Sequence, residues 1–232
     1  MKLTVAELLR EGKVARLLKI TVLGTSGSGK TSFLRALFGD EFITSDVKRQ
    51  DYLENKANLT YTPIDVEEST TTLSLNQLGA MVIFTKSNQF EVLKIQDGVD
   101  NLLTREDIDY FMTFSIFDTA GQERFEFMAD ICLKGSDAVI LVADGTNVSS
   151  IEYLNVYIEK IKDEELRTGK EIPVIIFMNK QDLSKKGIYL GADVARTATR
   201  NEYEVFETTI KDKDSFILPL RILISRLNAL SF

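Results

Sequence analysis

The chain has no histidine and no tryptophan, one cysteine and three prolines in 232 residues. Without histidine there is no imidazole base and no imidazole-held metal. Cys132 alone excludes an intramolecular disulfide and a cysteine metal cluster. Any chemistry must therefore use carboxylates, amides, hydroxyls, lysine, arginine and a hard cation such as Mg²⁺. Few prolines and no low-complexity tract argue against extended disorder. No apolar run approaches the roughly 20 residues of a membrane span. There is no basic run, and the net charge is −7, which argues against nucleic acid as the main partner. Met1-Lys2-Leu3-Thr4 does not read as a signal peptide and lacks the second-position glycine of a myristoylation site. Ala229-Leu230-Ser231-Phe232 carries no prenylation cysteine, so no lipid anchor is expected.

The composition that remains, 44% hydrophobic and 27% charged, suffices to bury a real core in one large domain or a small one with insertions. Its centre is Gly24-Thr25-Ser26-Gly27-Ser28-Gly29-Lys30-Thr31-Ser32, which reads G-x-x-x-x-G-K-T. The apolar run Leu17–Leu23 leads in as a buried strand, and Phe33–Phe38 follows with helical character. A triphosphate needs many N–H donors aimed at one small volume. Glycines let the backbone curl close, and a helix N-terminus adds unpaired N–H groups and a positive dipole end. Gly27, Ser28, Gly29 and Ser32 line such a cradle, Lys30 reaches the β- and γ-phosphates, and the Thr31 hydroxyl binds Mg²⁺. Alone, the motif says only that the ligand is a nucleoside triphosphate.

Thr4 and Glu7 form a capping box for a short amphipathic helix ahead of Gly12. That helix reads as packing on the core edge rather than as a membrane-surface element. From Gly39 to about Ser69 the chain is long and polar, as functional loops are. Ala80–Phe84 and Phe90–Ile95 flank Lys86-Ser87-Asn88-Gln89 as a hairpin, and Tyr110–Phe117 is a further strand ending at Asp118. The second half alternates strands at 138–143, 173–178 and 204–208 with helices near 123–134, 149–167, 191–201 and 215–229. Pro219 requires the last helix to start near Leu218 or to bend in its first turns. Alternation predicts an α/β fold: a mostly parallel, six-stranded sheet with helices on both faces. Ligands of such sheets bind at the carboxyl ends of the strands.

Two more motifs stand at such ends. In Asp118-Thr119-Ala120-Gly121-Gln122-Glu123, Asp118 is placed to hold Mg²⁺, Gly121 to offer a backbone N–H to the γ-phosphate, and Gln122 to orient an attacking water. In Asn179-Lys180-Gln181-Asp182, the carboxylate accepts from guanine N1–H and its 2-amino group, while the Lys180 stem lies along the base. Adenine presents the opposite polarity, and an unpaired site discriminates by orders of magnitude. The bland readings are a solvated turn for the first motif and a helix cap for the second.

With these three motifs in order, the chain resembles a small GTPase of the Ras superfamily, a phosphate-loop nucleoside triphosphatase fold with an extended hairpin between the family's second and third strands. Glu123-Arg124-Phe125 through Ala138 is similar to Rab-type chains, and Asn179–Leu183 to the Arf branch. This mixed character, without lipidation signals, suits a prokaryotic or archaeal member. Phe206–Lys211 stands where Rab-like chains read F-E-T-S-A-K, which implies nucleotide contacts from Thr209, Ile210 and Lys211, with a backbone N–H on guanine O6. The resemblance also implies a switch threonine that binds Mg²⁺ and the γ-phosphate. Thr70, Thr71 and Thr72 compete, and Thr72-Leu73-Ser74-Leu75-Asn76 fits the family pattern best. Phe42 either packs on the guanine edge or makes an ordinary core contact.

The implied layout is an N-terminal extension at 1–16 and a GTPase domain at 17–232 with insertions near 43–69 and 85–108. The implied function is a switch that binds Mg-GTP and slowly hydrolyses it to GDP, with Lys30 and Gln122 as the catalytic residues. Activating, exchange and effector proteins would dock on residues 40–72 and 119–135. The expected location is cytoplasmic, with any membrane association made through partners. The alternative is a non-hydrolysing GTP-binding scaffold whose insertions recruit partners.

Overall fold

The computed structural model describes residues 16–38, 76–85, 90–94, 108–118 and 126–229. Among the described residues eight strands form one sheet; numbered along the chain, they lie in the order 4-3-5-2-6-7-8, with the first also paired to the fifth. They are β1 (Arg16–Leu18), β2 (Ile20–Leu23), β3 (Asn76–Thr85), β4 (Phe90–Lys94), β5 (Ile108–Asp118), β6 (Ala138–Asp144), β7 (Val174–Asn179) and β8 (Glu204–Glu207). The block β2–β6–β7–β8 is parallel, and β5 joins it parallel to β1 and β2. β3 runs antiparallel to both β4 and β5.

The expected mostly parallel, six-stranded sheet is corrected: eight strands are present among the described residues, and β2, β6, β7 and β8 form the parallel block. The hairpin expected at Ala80–Phe84 and Phe90–Ile95 forms as β3 and β4, and β3 also pairs antiparallel with β5 on its other side. The first strand is also interrupted. Lys19 donates its backbone N–H to the Asp137 carboxylate at 2.8 Å, not to a neighbouring strand, and this splits β1 from β2.

The helices among the described residues are α1 (Lys30–Phe38), α2 (Glu126–Leu133), α3 (Val148–Glu152), α4 (Leu154–Thr168), α5 (Ala192–Ala198) and α6 (Asp214–Ala229), with a 3₁₀ turn at Gln181–Lys186. The apolar runs of β6 and β7 are buried on both sides, as parallel strands between two helix layers must be. On one face Ile140, Val142, Ile175 and Phe177 pack with Phe33 and Leu37 of α1 and Phe216, Leu220 and Leu223 of α6. On the other, Val139, Leu141, Ile176 and Met178 meet Leu133 of α2, Ile158 and Ile161 of α4, and Ala195 of α5. Phe33, Phe177 and Phe216 touch pairwise, with ring centroids 4.8–5.5 Å apart. α6 starts at Asp214, ahead of Pro219, which lies inside it. The start near Leu218 is thus corrected: the residues before the proline are already helical. Among the described residues no helix is long and apolar enough to cross a membrane.

Candidate nucleotide-binding site

β2, β6, β7 and β8 all run in one direction, so their C-terminal ends share one edge of the sheet. The phosphate loop leaves β2 at this edge and enters α1 at Lys30. Lys30 is 6% exposed, and its Nζ donates to the carbonyls of Gly24 at 2.8 Å and Thr25 at 3.0 Å. Thr31 and Ser32 begin the helix half-buried, and Phe33 donates its N–H to the Gly29 carbonyl at 2.8 Å. Asp118, the last residue of β5, is the register partner of Val22, which brings its backbone to the same edge.

The Asn179–Asp182 loop leaves β7, which lies beside β6 in the sheet. Asn179 is buried, and its Nδ2 donates to the Ser28 carbonyl at 2.9 Å. A Cβ at Gly29, whose φ is +97°, would stand 2.1 Å from that Nδ2. Only glycine lets the phosphate loop approach this closely. Lys180 adopts the left-handed conformation, φ +70°, uncommon for a side-chain-bearing residue and frequent where a site imposes it. Its Nζ pairs with Asp144 Oδ2 at 2.5 Å. Asp182 accepts from the Thr209 hydroxyl at 2.9 Å through Oδ1 and from Lys211 Nζ through Oδ2. The loop after β8 is tied in as well: Gln181 N–H donates to the Thr208 carbonyl, and Thr208 N–H to that of Met178. Ile210 is exposed, so its bulk is not wedged into the core.

Two carboxylates at this edge are held below their ordinary range. For Asp182, the Lys211 and Thr209 hydrogen bonds prevail over desolvation. For Asp144, desolvation works upward, but hydrogen bonds from Lys180 and Thr146 outweigh it. Both therefore stay ionised at neutral pH. Buried Ser28 Oγ and Asn179 Oδ1 have no hydrogen-bond partner among the described residues. Polar atoms of this kind, beside a loop of N–H donors and a fixed carboxylate, suit a polar ligand.

The geometry thus gathers Gly27, Ser28, Gly29, Lys30, Thr31, Ser32, Asn179, Lys180, Asp182, Thr209, Ile210 and Lys211 around one sheet edge. Phe42, Thr72, Gly121 and Gln122 lie outside the described residues. Sequence reasoning missed Asp144, which pairs with Lys180, Ser150, whose Oγ accepts the Asp144 backbone N–H, and Tyr189, whose hydroxyl donates to the Met178 carbonyl. Their residue types are common, and their spacing matches no motif with a mechanism. The only signal was that Asp144 ends a buried strand.

A family model described as the Ras family matches residues 80–227. The chain belongs to the Ras family. This small GTPase is 27% identical over 206 residues to the Ypt/Rab-type GTPase ypt7 of Schizosaccharomyces pombe, covering 87% of this chain and 77% of that protein. It is 25% identical over 209 residues to mouse Ras-related protein Rab-7b, covering 90% and 81%. A shorter match, 30% over 115 residues, joins it to the human intraflagellar transport protein 27 homolog, covering 50% of this chain and 61% of that protein. The family model starts after the phosphate loop, so the Gly24–Ser32 pattern adds to that match independently.

Proposed function

We propose that this GTPase binds GTP with Mg²⁺ at the edge formed by the phosphate loop and the Asn179–Asp182 loop, and hydrolyses it slowly to GDP. The observation that carries the reading is the Asn179–Ser28 hydrogen bond, which fixes the guanine-reading loop against the phosphate cradle. The donor set fits Mg²⁺, which takes one or two protein oxygens plus phosphate oxygens and water. Thr31, Asp118 and Thr72 are the residues that would hold it. When bound, the ion neutralises charge on the phosphates.

The protein's own residues do the rest. Backbone N–H groups of the loop and Lys30 hold the triphosphate, and Asp182 selects guanine through two acceptor oxygens. Gln122 orients water, with Gly121 N–H on the γ-phosphate. No arginine lies just before Thr72 to act in cis, so a partner supplies one, worth about 10³–10⁵ in rate. Residues 40–72 and 119–135 are the nucleotide-sensitive surfaces for activating, exchange and effector proteins. Its proposed location is cytoplasmic, with any membrane association made through those partners.

Purified protein and its Lys30→Ala variant should be titrated with GTP, GDP and ATP, followed by single-turnover hydrolysis. Guanine-selective binding lost in Lys30→Ala, with slow phosphate release by the wild type, supports the switch. Unchanged GTP affinity in the variant overturns the site. Tight binding with no turnover favours a non-hydrolysing scaffold.

A further inference from the structure

The turn after β6 touches both halves of the site, although it belongs to none of the motifs read from the sequence. Ser150, the third residue of α3, is 3% exposed. Its Oγ lies 2.6 Å from the Thr25 hydroxyl in the phosphate loop and accepts the Asp144 backbone N–H at 2.9 Å. Asp144 continues the chain of contacts. Its Oδ2 pairs with Lys180 in the base-reading loop, while Oδ1 accepts the N–H and hydroxyl of Thr146 at 2.9 and 2.7 Å. Gly145 follows, and its N–H donates to the Asn179 carbonyl at 3.0 Å. A Cβ on Gly145 would meet the Tyr189 ring at 2.1 Å and the Asn179 carbonyl at 2.7 Å. Tyr189 closes the arrangement by donating its hydroxyl to the Met178 carbonyl at 3.0 Å.

Thr25, Ser150, Asp144 and Lys180 thus form a continuous polar path from the phosphate loop to the base loop. It is separate from the Ser28–Asn179 hydrogen bond. We infer that Ser150 and Asp144 are positioning residues that set the distance between the phosphate cradle and the guanine-reading carboxylate. A ligand gripped at both ends gains from both loops only if their separation is fixed beforehand; otherwise binding must supply the ordering. Ser150 acts on the phosphate side through Thr25, and Asp144 on the base side through Lys180. The inference rests on the guanine-nucleotide reading of the site.

The test is the release rate of a fluorescent GDP from the full chain. Wild type must first bind it; failure there sinks the guanine reading, not the coupling. Ser150→Ala and Thr25→Val should each release GDP about tenfold faster, the scale of one lost buried hydrogen bond. The double variant should be no faster than the worse single one, because both changes remove the same contact. Thr25→Ser, which keeps the hydroxyl, should restore slow release, a result that simple loss of packing does not give. If Ser150→Ala does not fold, Thr25→Val against Thr25→Ser decides alone. Release within twofold of wild type in both single variants, or single effects that multiply in the double variant, overturns the inference.

Discussion

The side chain of Asn179 closes over Gly29 so tightly that a methyl group there would overlap its amide nitrogen at 2.1 Å. The two residues belong to different motifs, far apart in the chain, yet each fixes the conformation of the other. Gly29→Ala should therefore lower guanine-nucleotide affinity by at least about tenfold, since a strained left-handed residue costs about 1–3 kcal/mol before the clash is counted. The melting temperature should fall by several degrees, at about 2–4 °C per kcal/mol for a chain of this size. Differential scanning fluorimetry with and without GDP checks both.

Asp182→Asn should exchange guanine for xanthine. The amide offers a donor where the carboxylate offered an acceptor, and xanthine has the matching carbonyl. Preference for GTP over XTP should fall by at least about a hundredfold, the scale of discrimination by a buried hydrogen-bonding site. Survival of GTP preference in a competition assay would refute the assignment of the base.

Lys211 and Thr209 hold the Asp182 carboxyl below its ordinary range. A depressed folded-state pKa means the associated stability is present above the unfolded value of 3.8 and is lost as pH falls through the lower folded value. Lys211→Met removes the first of those partners. The Asp182 carboxyl should then titrate at a higher pH by carbon-detected NMR, and acid unfolding should begin earlier. No upward movement would mean that the ion pair does not form in solution.

Phe177→Ala empties the middle of an aromatic trio. Its ring contacts Phe33 from α1 and Phe216 from α6, and it is fully buried. Truncation of such a residue costs about 3–5 kcal/mol in transfer and cavity terms. Urea unfolding should give that loss, and GDP affinity should weaken with it because Phe33 lies three residues beyond Lys30.

The legible parts of this molecule are those in which consecutive residues do one job. Gly24–Thr31 and Asn179–Asp182 are continuous in sequence, and each ends an apolar run long enough to read as a strand. Ile140 and Ile176 announce buried strands by composition alone, since parallel strands between helix layers need no polar alternation. The contacts between distant residues were illegible. Nothing in the local sequence says that Asp137 takes the Lys19 N–H and breaks the first strand. Ser150 and Asp144 are equally plain in sequence, and only the fold sets them between two loops. Pro219 left two readings open, a start near Leu218 or bent first turns, and the structure removes the first. The proline's fixed φ suits a helix, so tertiary packing of Phe216 and Leu220 carries the helix past the missing N–H.

The aromatic trio also imposes an order of assembly. Phe33 sits directly behind the phosphate loop, and Phe216, which its ring touches, belongs to α6. During synthesis the residues of the cradle emerge first, while the packing that steadies α1 beneath them waits for α6. A nascent chain that has not yet released α6 from the ribosome carries the phosphate-binding sequence without the support that shapes it. The cradle at the start of α1 therefore takes its final shape only once α6 has packed against Phe33.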